Sequence, residues 1–212
     1  MDSAILDELT ERARGLVTDG RRALLGITGA PGAGKTTLAV ALVERLRRDG
    51  LEVANVPMDG FHLADAALTE RGTLDRKGAI ETFDVYGYLA LLRRLRNELE
   101  HDVLAPDFER TLEQPIAGAI TVRPEGRLVV SEGNYLLDDE GGWADVRAAL
   151  DEVWFVDVPD DIRVERLVRR HVEFGKPEAE ARAWVAQVDE PNARRVIARQ
   201  SAADLTVDGT LI

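Results

Sequence analysis

The sequence predicts an α/β fold in which a parallel five-stranded sheet carries helices on both faces, and three observations predict it. Short apolar runs that stop at Gly, Pro or Asp alternate with longer stretches whose apolar residues recur every three or four positions, the signature of strands joined by crossover helices. The 212 residues are 45% hydrophobic, enough to bury one sizeable core and too few for two with linkers. Neither a repeat of roughly 20 to 50 residues nor a linker interrupts the chain, so residues 1–212 read as one domain.

Taken in order, residues 3–17 set Ile5, Leu6, Leu9, Ala13, Leu16 and Val17 at helical spacing between charges, which predicts an amphipathic first helix. The run 21–28 (RRALLGIT) reads as a buried strand ending at Gly29, and 34–48 as a helix stopped by Asp49-Gly50. Residues 51–57 (LEVANVP) alternate and halt at proline, as a strand does. Between 60 and 83, scattered charge and Gly60, Gly72 and Gly78 predict short helices and loops over one end of the sheet. Periodicity returns in DVYGYLALLRRLRNELE, where Leu89, Leu92, Leu95 and Leu99 share one helical face; a proline-punctuated stretch, APDFERTLEQPI, follows. The runs RLVVSEGNYLL and EVWFVDVP (152–159) each hold a buried strand, a helix begins near Asp160, another follows Gly175-Lys176-Pro177, and ADLTVD supplies a last short strand. Trp143, Trp154 and Trp184 read most simply as core or helix-packing residues.

Composition removes several function classes. A formal charge of −12 opposes non-specific binding to nucleic acid, though a local basic pocket for a small phosphate is compatible with it. The absence of cysteine rules out disulfides and thiolate metal sites and fits a reducing compartment. With no run of 18 apolar residues and an acidic N-terminus, the expectation is a soluble, cytoplasmic protein without membrane or nucleic-acid partners.

One stretch carries chemistry outright. Gly29-Ala30-Pro31-Gly32-Ala33-Gly34-Lys35-Thr36, followed by Thr37, satisfies the phosphate-loop pattern between a strand and a helix. Bare backbone lets amide N–H groups close around a phosphate, and the free N–H groups and dipole of the following helix add positive charge at the same spot. In that pattern Lys35 reaches the β- and γ-phosphates and the Thr36 hydroxyl binds Mg²⁺. The sequence has neither an Asn-Lys-x-Asp run for guanine nor a Leu-Ser-Gly-Gly-Gln run, which weakens GTPase and transporter-ATPase readings.

Three further features narrow the reaction. Asp59, in VPMDGFHL, lies just past a strand at the ligand-binding edge of an α/β sheet; a carboxylate there can accept the proton of a substrate hydroxyl, while a lone Asp-Gly is also an ordinary turn. Glu132 ends the strand of RLVVSEGNYLL, where a carboxylate can hold the Mg²⁺ hydration shell or simply meet solvent. Arg163, Arg166 and Arg170 share one helical face and can close over a transferring phosphoryl group or form a solvated surface.

In their order along the chain these residues resemble the uridine kinase, pantothenate kinase and phosphoribulokinase group of small-molecule kinases over roughly residues 22–208, and most closely its bacterial uridine-kinase-like branch, often labelled a fructose-transport kinase. The resemblance implies a three-layer phosphate-loop NTPase sandwich with a small helical lid over about residues 161–180. By it Asp59 matches the catalytic base, Glu132 the second acidic residue near magnesium, Arg166 and Arg170 the lid arginines, and Asp84 in ETFDVYGYL an aspartate that approaches ribose hydroxyls. Asp59-Gly60-Phe61-His62 departs from the Asp-Ser-Phe-Tyr of uridine kinases, and the proline that follows Phe-Asp in them is missing. Beside Asp59, His62 is either a contact for the acceptor or a structural hydrogen-bonding partner; Phe108 and Arg110 are candidates for the acceptor wall, and Asn192 for the nucleotide border. The expected activity is ATP- and Mg²⁺-dependent phosphorylation of an alcohol on a small metabolite, a nucleoside, pantothenate-like alcohol or sugar. The alternative is an ATP-binding switch with slow hydrolysis and a protein partner. Oligomeric state is open, a homodimer included.

Overall fold

A computed structural model describes residues 2–18 and 20–212. Five parallel strands form the sheet in the order β2-β5-β1-β6-β7: β1 is Ala23–Thr28, β2 Val53–Asn55, β5 Leu128–Glu132, β6 Glu152–Asp157 and β7 Leu205–Asp208. Every residue of β1 and β5 is buried, which is why they read as unbroken apolar runs. Successive residues of β1 face opposite layers. Leu24 joins Val129, Tyr88, Leu92, Trp143 and Phe155 on one side, and Leu25 joins Leu38, Leu42, Val130, Trp154 and Val156 on the other.

Helices α1 (Ser3–Gly15) and α2 (Lys35–Arg48) cover the second face; the short α3 (Asp65–Arg71) follows β2, and α4 (Val85–Asn97) and α5 (Trp143–Ala149) cover the first. Trp143 and Trp154 are core residues, 4% and 0% exposed. Beyond Phe155 the chain runs into α6 (Asp160–Glu173), α7 (Glu178–Trp184), one π-helical turn at Val185–Asp189 and α8 (Glu190–Ile197). Among the described residues no helix is long and apolar enough to cross a membrane.

Two elements depart from the sequence reading. The proline-punctuated stretch is an antiparallel hairpin, β3 (Val103–Glu109) with β4 (Gln114–Val122), whose register shifts between Ala105 and Asp107. Pro106 sits at that irregularity, where its missing N–H costs no ladder bond. The glycine-, acid-rich approach to Trp143 hid α5, whose seven residues are too few to show a helical period.

Candidate functional site

The phosphate loop is shaped by glycine where the backbone demands it. Gly34 stands at φ +103° as the residue before α2, in the left-handed region that side chains avoid. Gly32, at φ +83°, lies so close to α6 that an added Cβ would meet the Arg163 carbonyl oxygen at 2.8 Å. Gly29, Ala30 and Ala33 form the back of the loop: Ala30 and Ala33 are buried in it, and Gly29 packs under the Val156 carbonyl.

Lys35 opens α2 with its side chain folded back over the loop, Nζ donating to the Ala30 carbonyl at 3.2 Å. Burial lowers its pKa to about 8, with Glu132 and Asp59 acting in the opposite sense. The register of β1 with β5 pairs Ile27 with Glu132, which brings the end of β5 up to the loop, and the Thr36 hydroxyl donates to Glu132 Oε1 at 3.0 Å. Burial pushes Glu132 up to about 7; the Asp59 charge adds to this, and Lys35 and the Thr36 hydrogen bond oppose it. Thr36 and Glu132 are hard oxygen donors side by side. They fit Mg²⁺, which takes one or two protein oxygens and completes its octahedron with phosphate and water.

Asp59 reaches the same place from another strand. After β2 the chain makes a short 3₁₀ turn, Met58–Phe61, pressed between two glycine contacts. A Cβ on Gly60 would lie 2.5 Å from the Pro106 carbonyl oxygen, and one on Gly133 would lie 2.5 Å from Met58 Cβ. The Asp-Gly and Glu-Gly pairs are therefore packing requirements as well as sources of carboxylate. His62 donates from Nδ1 to the Asp59 carbonyl at 2.8 Å, since a carbonyl can only accept. Its ring lies 4.0 Å from that of Phe83 and 4.7 Å from that of Phe108, and burial lowers its pKa, so it stands neutral with Nε2 free to accept. Arg110, from the hairpin, comes within 4.0 Å of the Asp59 carboxylate.

Two cavities meet here. The larger, about 440 Å³, is lined by Pro31, Gly32, Lys35, Thr36, Asp59, His62, Phe108, Arg110, Glu132 and Arg170 among others. The second, about 380 Å³, lies between the loop and α6 and is lined by Gly34, Thr37, Arg166 and Arg169. Gly32, Lys35, Thr36 and Arg170 face both.

The arginine row divides along its length. Arg163 is 1% exposed and held by Asp160 at 2.9 Å and Glu190 at 2.6 Å, so it anchors α6 to α8 and lines neither of these two cavities. Arg166 reaches the Ala33 and Gly209 carbonyls, each at 3.4 Å. Arg170 alone of the three lies where the cavities join.

Comparison with known proteins places the chain in a family. The Schizosaccharomyces pombe protein named "Putative uridine kinase C227.14" is 32% identical over 180 residues, 82% of this chain and 77% of that one. The crystal structure of a "putative fructose transport system kinase" from Silicibacter sp. TM1040 is 40% identical, covers 95% of this chain and 98% of its own, and superposes with a TM-score of 0.88. The chain belongs to the uridine-kinase-like P-loop kinases. An Aspergillus versicolor "ATP-dependent kinase-like protein notR'" shares 38% identity over 125 residues, 56% of this kinase and 73% of the relative. Residues 3–63 also match the family profile "Methylmalonyl Co-A mutase-associated GTPase MeaB"; that span is α1, β1, the loop, α2, β2 and the Asp59 turn.

Within this kinase three sequence expectations are revised. Asp84 does not line either cavity: it is exposed and caps α4, its carboxylate accepting from the Gly87 N–H at 2.9 Å. Asn192 lines the larger cavity beside Asp59, not the one between loop and α6, and bonds the Gly78 carbonyl at 3.4 Å. Trp184 is half-buried and forms part of the larger cavity's wall, unlike the two core tryptophans. Lys77, His171, Lys176 and Asp189 line the same cavity and escaped the sequence reading. They lie in segments of no recognisable motif, and only folding brings them to the Asp59 turn.

Proposed function

We propose that the protein transfers the γ-phosphoryl group of ATP, with Mg²⁺, to an alcohol group of a small metabolite. One observation carries this reading: Lys35, Thr36 and Arg170 stand where two cavities join, and the larger of the two contains Asp59. A nucleotide placed with its phosphates on the loop would lie in the smaller cavity and present its terminal phosphate to an acceptor in the larger.

In this mechanism Asp59 accepts the proton of the acceptor hydroxyl as that oxygen bonds to phosphorus and the bond to the ADP oxygen breaks. Lys35 and Arg170 neutralise the charge on the phosphoryl oxygens, and Arg166 braces the loop backbone. Thr36 and Glu132 would hold Mg²⁺, which supplies charge neutralisation at the phosphates. His62, Phe108 and Arg110 contact the acceptor; Asp84 keeps its capping role. Catalysis then rests on positioning and electrostatics more than on covalent chemistry.

The experiment is a panel of nucleosides, pantothenate-like alcohols and sugars scored for ADP release, run with Asp59→Asn alongside. Asp59→Asn is expected to keep ATP affinity near that of the parent and to lose about a hundredfold or more in turnover, the size of a lost general base. Full turnover in that variant would remove Asp59 from the role. The match of residues 3–63 to a GTPase family favours a second reading, a nucleotide switch. It predicts that no small alcohol accelerates ADP production and that a protein does.

A further inference from the structure

Only three of the 27 basic residues are lysines, and all three, Lys35, Lys77 and Lys176, line the cavity that contains Asp59. Elsewhere the chain uses arginine, whose rigid fork suits permanent ion pairs such as Arg12–Glu152, Arg94–Glu98 and Arg195–Asp138. An ammonium is a compact, rotatable charge on a flexible stem, better suited to a group that arrives and leaves.

The three lysines are not equivalent. Lys35 belongs to the phosphate loop. Lys77 is occupied by the Asp65 carboxylate at 2.6 Å and by the Glu113 carbonyl. Lys176, in the turn between α6 and α7, has no carboxylate partner among the described residues; its Nζ rests 4.9 Å from the centre of the Trp184 ring. Arg110 is held only by a long ion pair, 4.0 Å to the Asp59 carboxylate. Of the carboxylates on this cavity, Asp65 is taken by Lys77 and Asp189 by His171 at 2.9 Å, while Asp59 and Glu132 lie at the phosphate end. Glu113 remains, exposed on the hairpin turn. Lys176, without a carboxylate, and Arg110, in a 4.0 Å ion pair, thus face the acceptor space against one exposed carboxylate, in a chain of net charge −12.

We infer that the acceptor is an anionic alcohol, with its hydroxyl at Asp59 and a carboxylate or phosphate group bound by Lys176 together with Arg110. This rests on the kinase reading for the fate of the hydroxyl and not for the binding of the anion, so the two can fail separately.

Trp184 reports the binding step, because Trp143 and Trp154 are buried in the core and Trp184 lies under Lys176. The full chain, with Mg²⁺ and a non-hydrolysable ATP analogue, is titrated with three matched alcohols: glycerol, glycerate and glycerol 3-phosphate. Tryptophan emission is followed in the parent, in Lys176→Gln, and in Trp184→Phe as the control that removes the signal. The expected result is a saturable change with one or both anions and none with glycerol, weakened about tenfold or more in Lys176→Gln, as for loss of a charge-assisted contact. The carboxylate and phosphate arms decide which anion is preferred. Equal response to glycerol, no response to either anion, or a response untouched by Lys176→Gln overturns the inference. Turnover of the same compounds is scored in parallel. Lys176-dependent binding without ADP release would leave the anion site standing and remove the kinase reading.

Discussion

The two ends of the proposed cleft are made from different material. At the phosphate end the working groups are backbone and its immediate neighbours: Gly29 to Thr37 form one unbroken segment, running from the end of β1 into the first turn of α2. At the acceptor end they are side chains delivered from separate places: Asp59 and His62 after β2, Lys77 from a loop, Phe108 and Arg110 from the hairpin, and His171, Lys176, Trp184 and Asn192 from the α6–α8 arm. Anion binding by backbone is insensitive to what else the protein does, so one loop serves many reactions. Selection of an acceptor needs side chains at distances that only the tertiary fold sets. The difference explains how a nucleotide end can be recognised at once while the acceptor stays unnamed.

That contrast is tested most severely at the phosphate end. Lys35→Ala removes a buried charge that bonds the Ala30 carbonyl of the loop and, in the proposed mechanism, the phosphates. Affinity for the ATP analogue by calorimetry is expected to fall about tenfold to a hundredfold, the scale of charged hydrogen bonds, in any assay and with any acceptor. Unaltered affinity would contradict the assignment of the loop.

The acceptor end responds differently to a smaller change. Gly60→Ala places a methyl group 2.5 Å from the Pro106 carbonyl oxygen and 2.8 Å from its carbon, both backbone atoms that cannot rotate aside. Either the hairpin or the Asp59 turn must shift, at a cost of about 1–3 kcal/mol. Turnover is expected to fall about tenfold or more, since a displacement of about 1 Å at a reacting group is enough for that, while ATP affinity holds. A matching loss of nucleotide affinity would mean that the two ends are mechanically one.

The same division governs how much could be read in advance. The sheet, α2 and the loop were legible because each signal lies within a few residues: buried strands as apolar runs, and Gly34 where the backbone turns left-handed. Glu132 and Asp59 were legible as strand-end carboxylates. The hairpin was not, because Pro106 and the exposed, Gly- and Ala-containing β4 carry almost no alternating apolar pattern. Arg163 shows the limit in the other direction. Helical spacing put it on the face of Arg166 and Arg170, yet an acidic partner 27 positions along, Glu190, turned it into a buried anchor. Trp184 read as a core or helix-packing residue, as large aromatics usually are, and no local feature distinguishes a tryptophan that also lines a cleft.

A last substitution asks whether the framework can be weakened without touching either end. Asp151, just before β6, accepts from the Leu24 N–H at 2.8 Å, from Arg21 at 2.6 Å and from Arg96 at 2.8 Å. It ties the beginning of β1 to α4, and the cleft forms at the opposite end of β1. Burial raises its pKa, but the Arg96 bond, the Leu24 amide and the arginine charges outweigh that and hold it below the usual carboxylate value. A carboxyl depressed in the folded state stabilises the protein above its unfolded pKa, near 3.9, and loses that contribution as pH falls through the lower folded value. Asp151→Asn keeps an acceptor for Leu24 and gives up both ion pairs, so stability at neutral pH is expected to drop by about 1–3 kcal/mol, which is about 2–4 °C in Tm for each kcal/mol at this length. The difference from the parent should narrow as pH is lowered below about 4, because the parent then loses what the variant never had. ATP affinity and turnover at neutral pH are expected to stay within about twofold of the parent, because sites this far apart act independently. Loss of activity beyond the loss of folded protein would show that the base of the sheet also sets the geometry of the cleft.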